Sequence, residues 1–176
     1  MKKFTNEQIA VLMNQAKVSA DDRKTVKAAI NRSIETNDQP AVAIELHDGR
    51  IVTGKTSELL GAASAALLNA VKVLADFPRE TTMIAPETIK PIQELKTDIL
   101  GNHNPRLHSD EALIALSISA STDPVAAKAM EKLELLKGCQ AHSTVILSQV
   151  DNDVYRKLGI EVTCEPQYNT KKLYHK

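Results

Sequence analysis

Tryptophan is absent from this chain, and phenylalanine and tyrosine together make up only 3% of it. Its core must therefore be aliphatic, and it has little from which to build the base-stacking platforms used for single-stranded nucleic acids. Charge of one sign is missing too: 22 basic and 22 acidic residues leave a formal net charge of +0. That excludes the basic footprint expected for DNA, RNA or an acidic membrane surface. Cysteine is scarce, and Cys139 and Cys164 are too few for a disulfide framework. No apolar run approaches the length of a membrane span. Met1-Lys2-Lys3-Phe4 opens like a signal peptide, but Thr5-Asn6-Glu7-Gln8 stands where the apolar stretch should be. These absences predict a cytoplasmic protein with reduced cysteines and no nucleic-acid or membrane partner.

What is present fits a single folded domain. The 176 residues are 43% apolar and 25% charged, enough for one core. The organising stretch is residues 49–77, GRIVTGKTSELLGAASAALLNAVKVLADF. Gly49, four residues, then Gly54-Lys55-Thr56 spells a phosphate loop by letter. The intervening Arg50-Ile51-Val52-Thr53 is rich in β-branched residues, which favour an extended strand over tight wrapping. Asp48-Gly49 between two apolar runs signals a hairpin. The residues thus favour a hairpin of 40–46 with 50–53, the phosphate loop standing as the alternative. A helix follows from about Ser57, with Leu59, Leu60, Ala63, Leu67, Val71 and Leu74 at helical spacing. Small residues fill the gaps between them, so this helix is expected to be the most buried, with Thr56 or Ser57 as its cap.

Around this centre the chain reads as α/β. Thr5 with Gln8 and Ser19 with Asp22 open two helices, an N-terminal pair taken as a lead-in over residues 1–38. Residues 39–176 read as the α/β domain. Residues 82–85 suggest a short strand, and Pro91 the first turn of a helix closed by Gly101. Further helices are expected over 110–120, from Pro124 to Gly138, and from Ser148 (paired with Asp151) to Gly159. Strands follow at 140–147 and 160–164. Two helix–Gly–strand units plus the hairpin predict a mixed sheet of about 4–5 strands covered by helices, parallel in part. The tail from Glu165, with Tyr168 and Tyr174, reads as a packed arm.

Two long segments give the chain a family likeness: DEALIALSISASTDPVAAKAMEKLELLKGCQAHSTVILSQVDNDVYRKLGIEVTCEP, with its KKLYHK end, and IQELKTDILGNHNPRLH. They, and DGRIVTGKTSELLGAASAALLNAVK, resemble the C-terminal part of uncharacterised protein family 0371, bacterial proteins without an assigned activity. The likeness extends from about Glu7 onward. It implies a longer protein with a preceding Rossmann-like portion carrying its own Gly-rich lysine segment, which weakens the phosphate-loop reading of Lys55. It carries over no catalytic residue and no cofactor.

Chemistry must then be sought in the residues themselves. Cys139-x-x-His142 with His103 and His108 has some ligand-like spacing, but one short pair and two loop histidines do not make a zinc site, and we assign no metal. Serine nucleophiles fare no better: Ser143 neighbours His142 and Ser109 neighbours His108, but adjacent strand residues face opposite ways. No G-x-S-x-G elbow occurs. What remains is a polar cluster suited to an anion or nucleotide: Lys55, Thr56, Asn102, His103, Arg106 and His108, with His142 as a further candidate. Arg106 offers a planar fork for carboxylate or phosphate. Two functions follow from this reading. One is the substrate-side or lid half of a nucleotide-using two-domain enzyme. The other is an assembly domain that forms homo-oligomers or docks on a missing N-terminal domain.

Overall fold

Asp48 and Gly49 turn the chain back on itself. In the computed structural model, which describes residues 5–168, Gly49 takes φ +84° and its amide donates to Leu46 O. The Leu46 amide in turn donates to Arg50 O, closing a three-residue loop of the kind that needs a left-handed third residue. The flanking strands are β1 (Ala41–Glu45) and β2 (Ile51–Lys55), antiparallel with Ile44 opposite Val52 and Val42 opposite Gly54. The expected hairpin is therefore present, and the residues spelling a phosphate loop form a turn and a strand.

The sheet has four strands in the order β2-β1-β3-β4. β3 (Gln140–Ser143) runs antiparallel to β1, and β4 (Glu161–Cys164) runs parallel to β3. Strands β2, β3 and β4 thus point one way, and their carboxyl ends share an edge of the sheet with the start of β1. β3 stops at Ser143, four residues short of the expected strand. The Ser143 hydroxyl folds onto Val145, donating to its carbonyl at 2.6 Å, a local bond that competes with the ladder. Its partner strand also runs out there, because Pro40 precedes β1 and has no amide to give.

Each face of the sheet is covered by a helix. Val42, Ile44, Val52, Gly54 and Ala141 share one face by register, and α3 (Ala62–Leu74) lies across it. Ala41, Ala43, Thr53, Lys55 and His142 share the other, covered by α2 (Lys24–Glu35). α1 (Asn6–Ala16) and a 3-10 turn (Ala20–Asp22) precede α2, so both opening helices form, with Thr5 and Gln8 making the expected capping box. Complete burial of Leu67 and Val71 on α3 contributes about 1.5–3 kcal/mol apiece. α3 carries eight buried residues, the largest number of any helix described. It starts later than expected. Residues 57–60 form a turn in which the Ser57 amide donates to Leu60 O, and Gly61 is the N-cap in place of Thr56 or Ser57.

Gly54 explains how closely helix and sheet approach. A Cβ there would lie 2.0 Å from the Ala66 backbone nitrogen. Both glycines of the phosphate-loop spelling thus have structural reasons: a left-handed turn at Gly49 and a helix backbone against Gly54.

The middle of the chain departs most from the sequence reading. Residues 82–85 form no strand. Met83 and Ile84 are buried, but from a loop bracketed by Pro78 and Pro86 and without a ladder partner, so burial alone produced the strand-like signal. Pro86, not Pro91, opens α4 (Pro86–Glu94), and Pro91 lies inside it. The helix then widens into a π turn (Leu95–Ile99), with the Leu100 amide donating to Leu95 O. α5 (Ser109–Ala120) and α6 (Pro124–Glu131) follow, then a 3-10 turn (Leu133–Leu136) leading to β3, and α7 (Gln149–Lys157) leading to β4. Beyond Tyr168 the expected arm, Tyr174 included, lies outside the described residues.

Candidate functional site

The carboxyl ends of β2 and β3 open on a cleft of about 290 Å³. Open α/β sheets take ligands in such crevices. Pro40 and Thr56 lie at the strand ends, Gly61 to Ala63 at the start of α3, Arg106 and His108 before α5, and Ser148 and Asp151 at the start of α7. The loop before α5 is held here by backbone pairing. Leu60 and Leu107 form an isolated parallel bridge, the Leu107 amide donating to Leu59 O and the Gly61 amide to Leu107 O. Ser64 Oγ adds a bond to Leu107 O at 2.8 Å. Below, the π turn carries Lys96 inward, 4% exposed, with Nζ donating to Arg106 O at 2.6 Å and to Glu111 Oε2 at 2.7 Å. The same Glu111 oxygen accepts the His108 amide at 2.8 Å. Arg106 and His108 therefore stand on a backbone fixed from two sides.

Arg106 donates Nε–H to Ser57 O at 2.6 Å. Its two terminal amino groups have no partner among the described residues. Nearby, α3 begins without a side-chain cap, and the amides of Ala62 and Ala63 are bonded to no other described residue. Unpaired first-turn amides favour an anion.

Asp151 anchors the opposite wall. Its Oδ1 accepts the Ser109 amide at 2.8 Å and Ser109 Oγ at 2.7 Å. Its Oδ2 accepts from Ser148 Oγ at 2.7 Å and lies 3.0 Å from His108 Nδ1. Since the carboxylate only accepts, Nδ1 carries the proton, which leaves Nε2 as the opposite ring nitrogen, without a partner among the described residues. Burial pushes the Asp151 pKa up, but the bonds from His108, Ser148 and Ser109 outweigh it and bring the value down to about 2. The hydrogen bond to Asp151 raises the pKa of His108 above its usual 6.5, against partial desolvation. The result is a histidine–carboxylate pair seated between the starts of α5 and α7.

The sequence candidates divide. Thr56, Arg106 and His108 border the cleft together. Lys55 is exposed on the sheet face that α2 covers. Asn102 and His103 are exposed in the loop, and neither borders the cleft, whereas Asn104 does. His142 is buried on the α2 face, bonded through Nδ1 to Thr163 Oγ1 and through Nε2 to Glu165. Burial lowers its pKa against the opposing pull of Glu165. Cys139 packs in the core with Sγ toward Leu135 O. Asp151, which borders the cleft, was not among the sequence candidates. Its pairing with Ser148 was visible, but only as a helix cap, and nothing local announces a partner 43 residues away.

Cleft, sheet edge and overall order of elements together define an α/β domain built on a mixed four-stranded sheet. Residues 21–174 match the family described as "Domain of unknown function DUF1846, C-terminal", and the chain belongs to that family. It is 50% identical over 169 residues to a UPF0371 protein of Corynebacterium glutamicum (strain R), covering 96% of this chain and 34% of that relative. A UPF0371 protein of Streptococcus pneumoniae (strain Hungary19A-6) is 52% identical over 170 residues, covering 97% and 34%. The chain thus spans about a third of the length of these curated relatives. Among the described residues, no helix is long and apolar enough to cross a membrane.

Proposed function

We propose that this domain is the substrate-side half of a two-domain nucleotide-using enzyme and supplies one wall of a cleft for an anionic small molecule. One observation carries the reading: Arg106, Ala62 and Ala63 line one cavity at the carboxyl edge of the sheet, and among the described residues the Arg106 amino groups and the Ala62 and Ala63 amides have no partner. Ligand sites commonly form between domains, and about two thirds of each relative's length lies outside the match. A single wall does not exclude water, so its charged hydrogen bonds stay weak. Calorimetric titration of ATP into this chain and into the full-length Streptococcus pneumoniae relative tests it. The full-length protein should bind at least about tenfold more tightly, a difference of about 1.4 kcal/mol. Equal affinities would sink the two-wall reading.

A second reading, self-association, draws on a different observation. Ile9, Val11 and Leu12 of α1 are large, apolar and exposed. Such a face favours burial against another copy. Sedimentation velocity across a concentration series decides it, a monomer throughout counting against.

A further inference from the structure

The His108–Asp151 pair is more than an anion contact needs. A carboxylate that holds Nδ1 fixes the ring's tautomer and turns the other nitrogen into a directed donor or acceptor. We propose that the cleft is a proton-transfer site for a phosphate-bearing substrate: Arg106 and the first turn of α3 hold the phosphoryl oxygens, and His108 Nε2 exchanges a proton with the substrate. This rests on the anion-cleft reading above. The step is a reversible transfer. An O–H bond of the substrate breaks, its electron pair stays on oxygen, and an N–H bond forms at Nε2. The imidazolium so formed is held against Asp151, which stays ionised throughout.

Three features support phosphate over carboxylate. Among the described residues, Arg106 has two amino groups without a partner, α3 offers two amides, and His108 offers one ring nitrogen. Such donors, arriving from separate elements, suit a tetrahedral oxyanion better than a planar one. A phosphate monoester also loses its second proton near pH 6, close to the range in which an imidazole titrates, so either group can hold the shared proton. The charged and titratable groups around His108 are Asp151 on α7, Glu111 on α5, Lys96 on the π turn, and Arg106 and Tyr168 on the cleft wall. Asp151 and Glu111 favour the charged ring and Lys96 opposes it.

The test uses the 176-residue chain and inorganic phosphate. The carbon-bound ring proton of His108 is followed by NMR from roughly pH 5 to 9, across the range in which imidazoles titrate. Phosphate should raise the His108 midpoint, and affinity should fall at least about tenfold as pH rises through that midpoint. In His108→Gln binding should persist but lose this pH dependence. In Arg106→Lys, which keeps the charge without the fork, binding should weaken at every pH. Dispersed amide spectra check that both variants fold. Phosphate binding that leaves the His108 midpoint unmoved overturns proton transfer and leaves the anion cleft standing. No chemical-shift change at phosphate concentrations up to about ten millimolar, tenfold above a millimolar Kd, overturns both.

Discussion

Asp151 shows what a single residue can hide in a sequence. Ser148 and Asp151 announce a helix start, and that local role is real, since the Asp151 amide donates to Ser148 Oγ at 3.1 Å. The same carboxylate also serves Ser109 and His108 across the cleft, a relation fixed by how α5 and α7 pack. His108 and Arg106 could be singled out because ring and guanidinium residues in a polar loop stand out without a structure, and both border the cleft. Lys55 and His142 lie off the cleft, because register, not composition, decides which face of a sheet a residue occupies. The pair has a pH signature with two limits. Asp151 has a lowered folded pKa, so its contribution is present above its ordinary 3.8 and is lost as pH falls toward about 2. His108 has a raised pKa, so its contribution is full below 6.5 and is lost as pH climbs through the folded value. Urea unfolding of wild type should therefore show the pair's contribution between these limits. Asp151→Asn should cost about 1–3 kcal/mol at mid pH, since it removes charge-assisted bonds in a buried site. It should also lower the His108 midpoint, which NMR titration would reveal. An unchanged midpoint would mean that ring and carboxylate do not meet in solution.

At the level of elements, the small residues of α3 and the glycines of the hairpin were the most legible features. Asp48-Gly49 gave the turn, and the run of alanines gave a helix whose backbone lies against β2. Gly54→Ala forces a methyl onto the Ala66 backbone, where neither side can yield as a flexible side chain would. We expect it to destabilise the domain by more than the about 1–3 kcal/mol typical of overpacking, or to prevent folding. Ala66→Leu, fully buried on the same helix, should cost about 1–3 kcal/mol. Thermal melts compare the two; wild-type midpoints in both would place α3 away from the sheet. Less could be read between Pro78 and Gly101. Prolines there pointed to boundaries, but α4 accepts Pro91 in its interior, and the π turn has no compositional mark. Apolar residues bracketed by prolines look alike whether they enter a core from a strand or from a loop.

For the whole molecule, the fold class was legible, since alternating helix–Gly–strand units and a hairpin leave few arrangements beyond a mixed, helix-covered sheet. It could not show where the carboxyl edge would gather residues far apart in sequence. If the cleft here is one of two walls, ATP should bind this chain no more tightly than roughly 1 mM, about 4 kcal/mol. Calorimetry on Lys55→Ala should match wild type, because Lys55 lies off the cleft; tight binding lost in that variant would restore the phosphate loop.

The bonding of one carboxylate to the starts of two helices also has a kinetic side. Ser109 and Asp151 both sit where a helix would ordinarily fray first, yet both amides are tied into the same network. Neither end can loosen without releasing the other. Their amide hydrogens should exchange with solvent at matched rates, slower than those at the uncapped start of α3, and Asp151→Asn should speed both together.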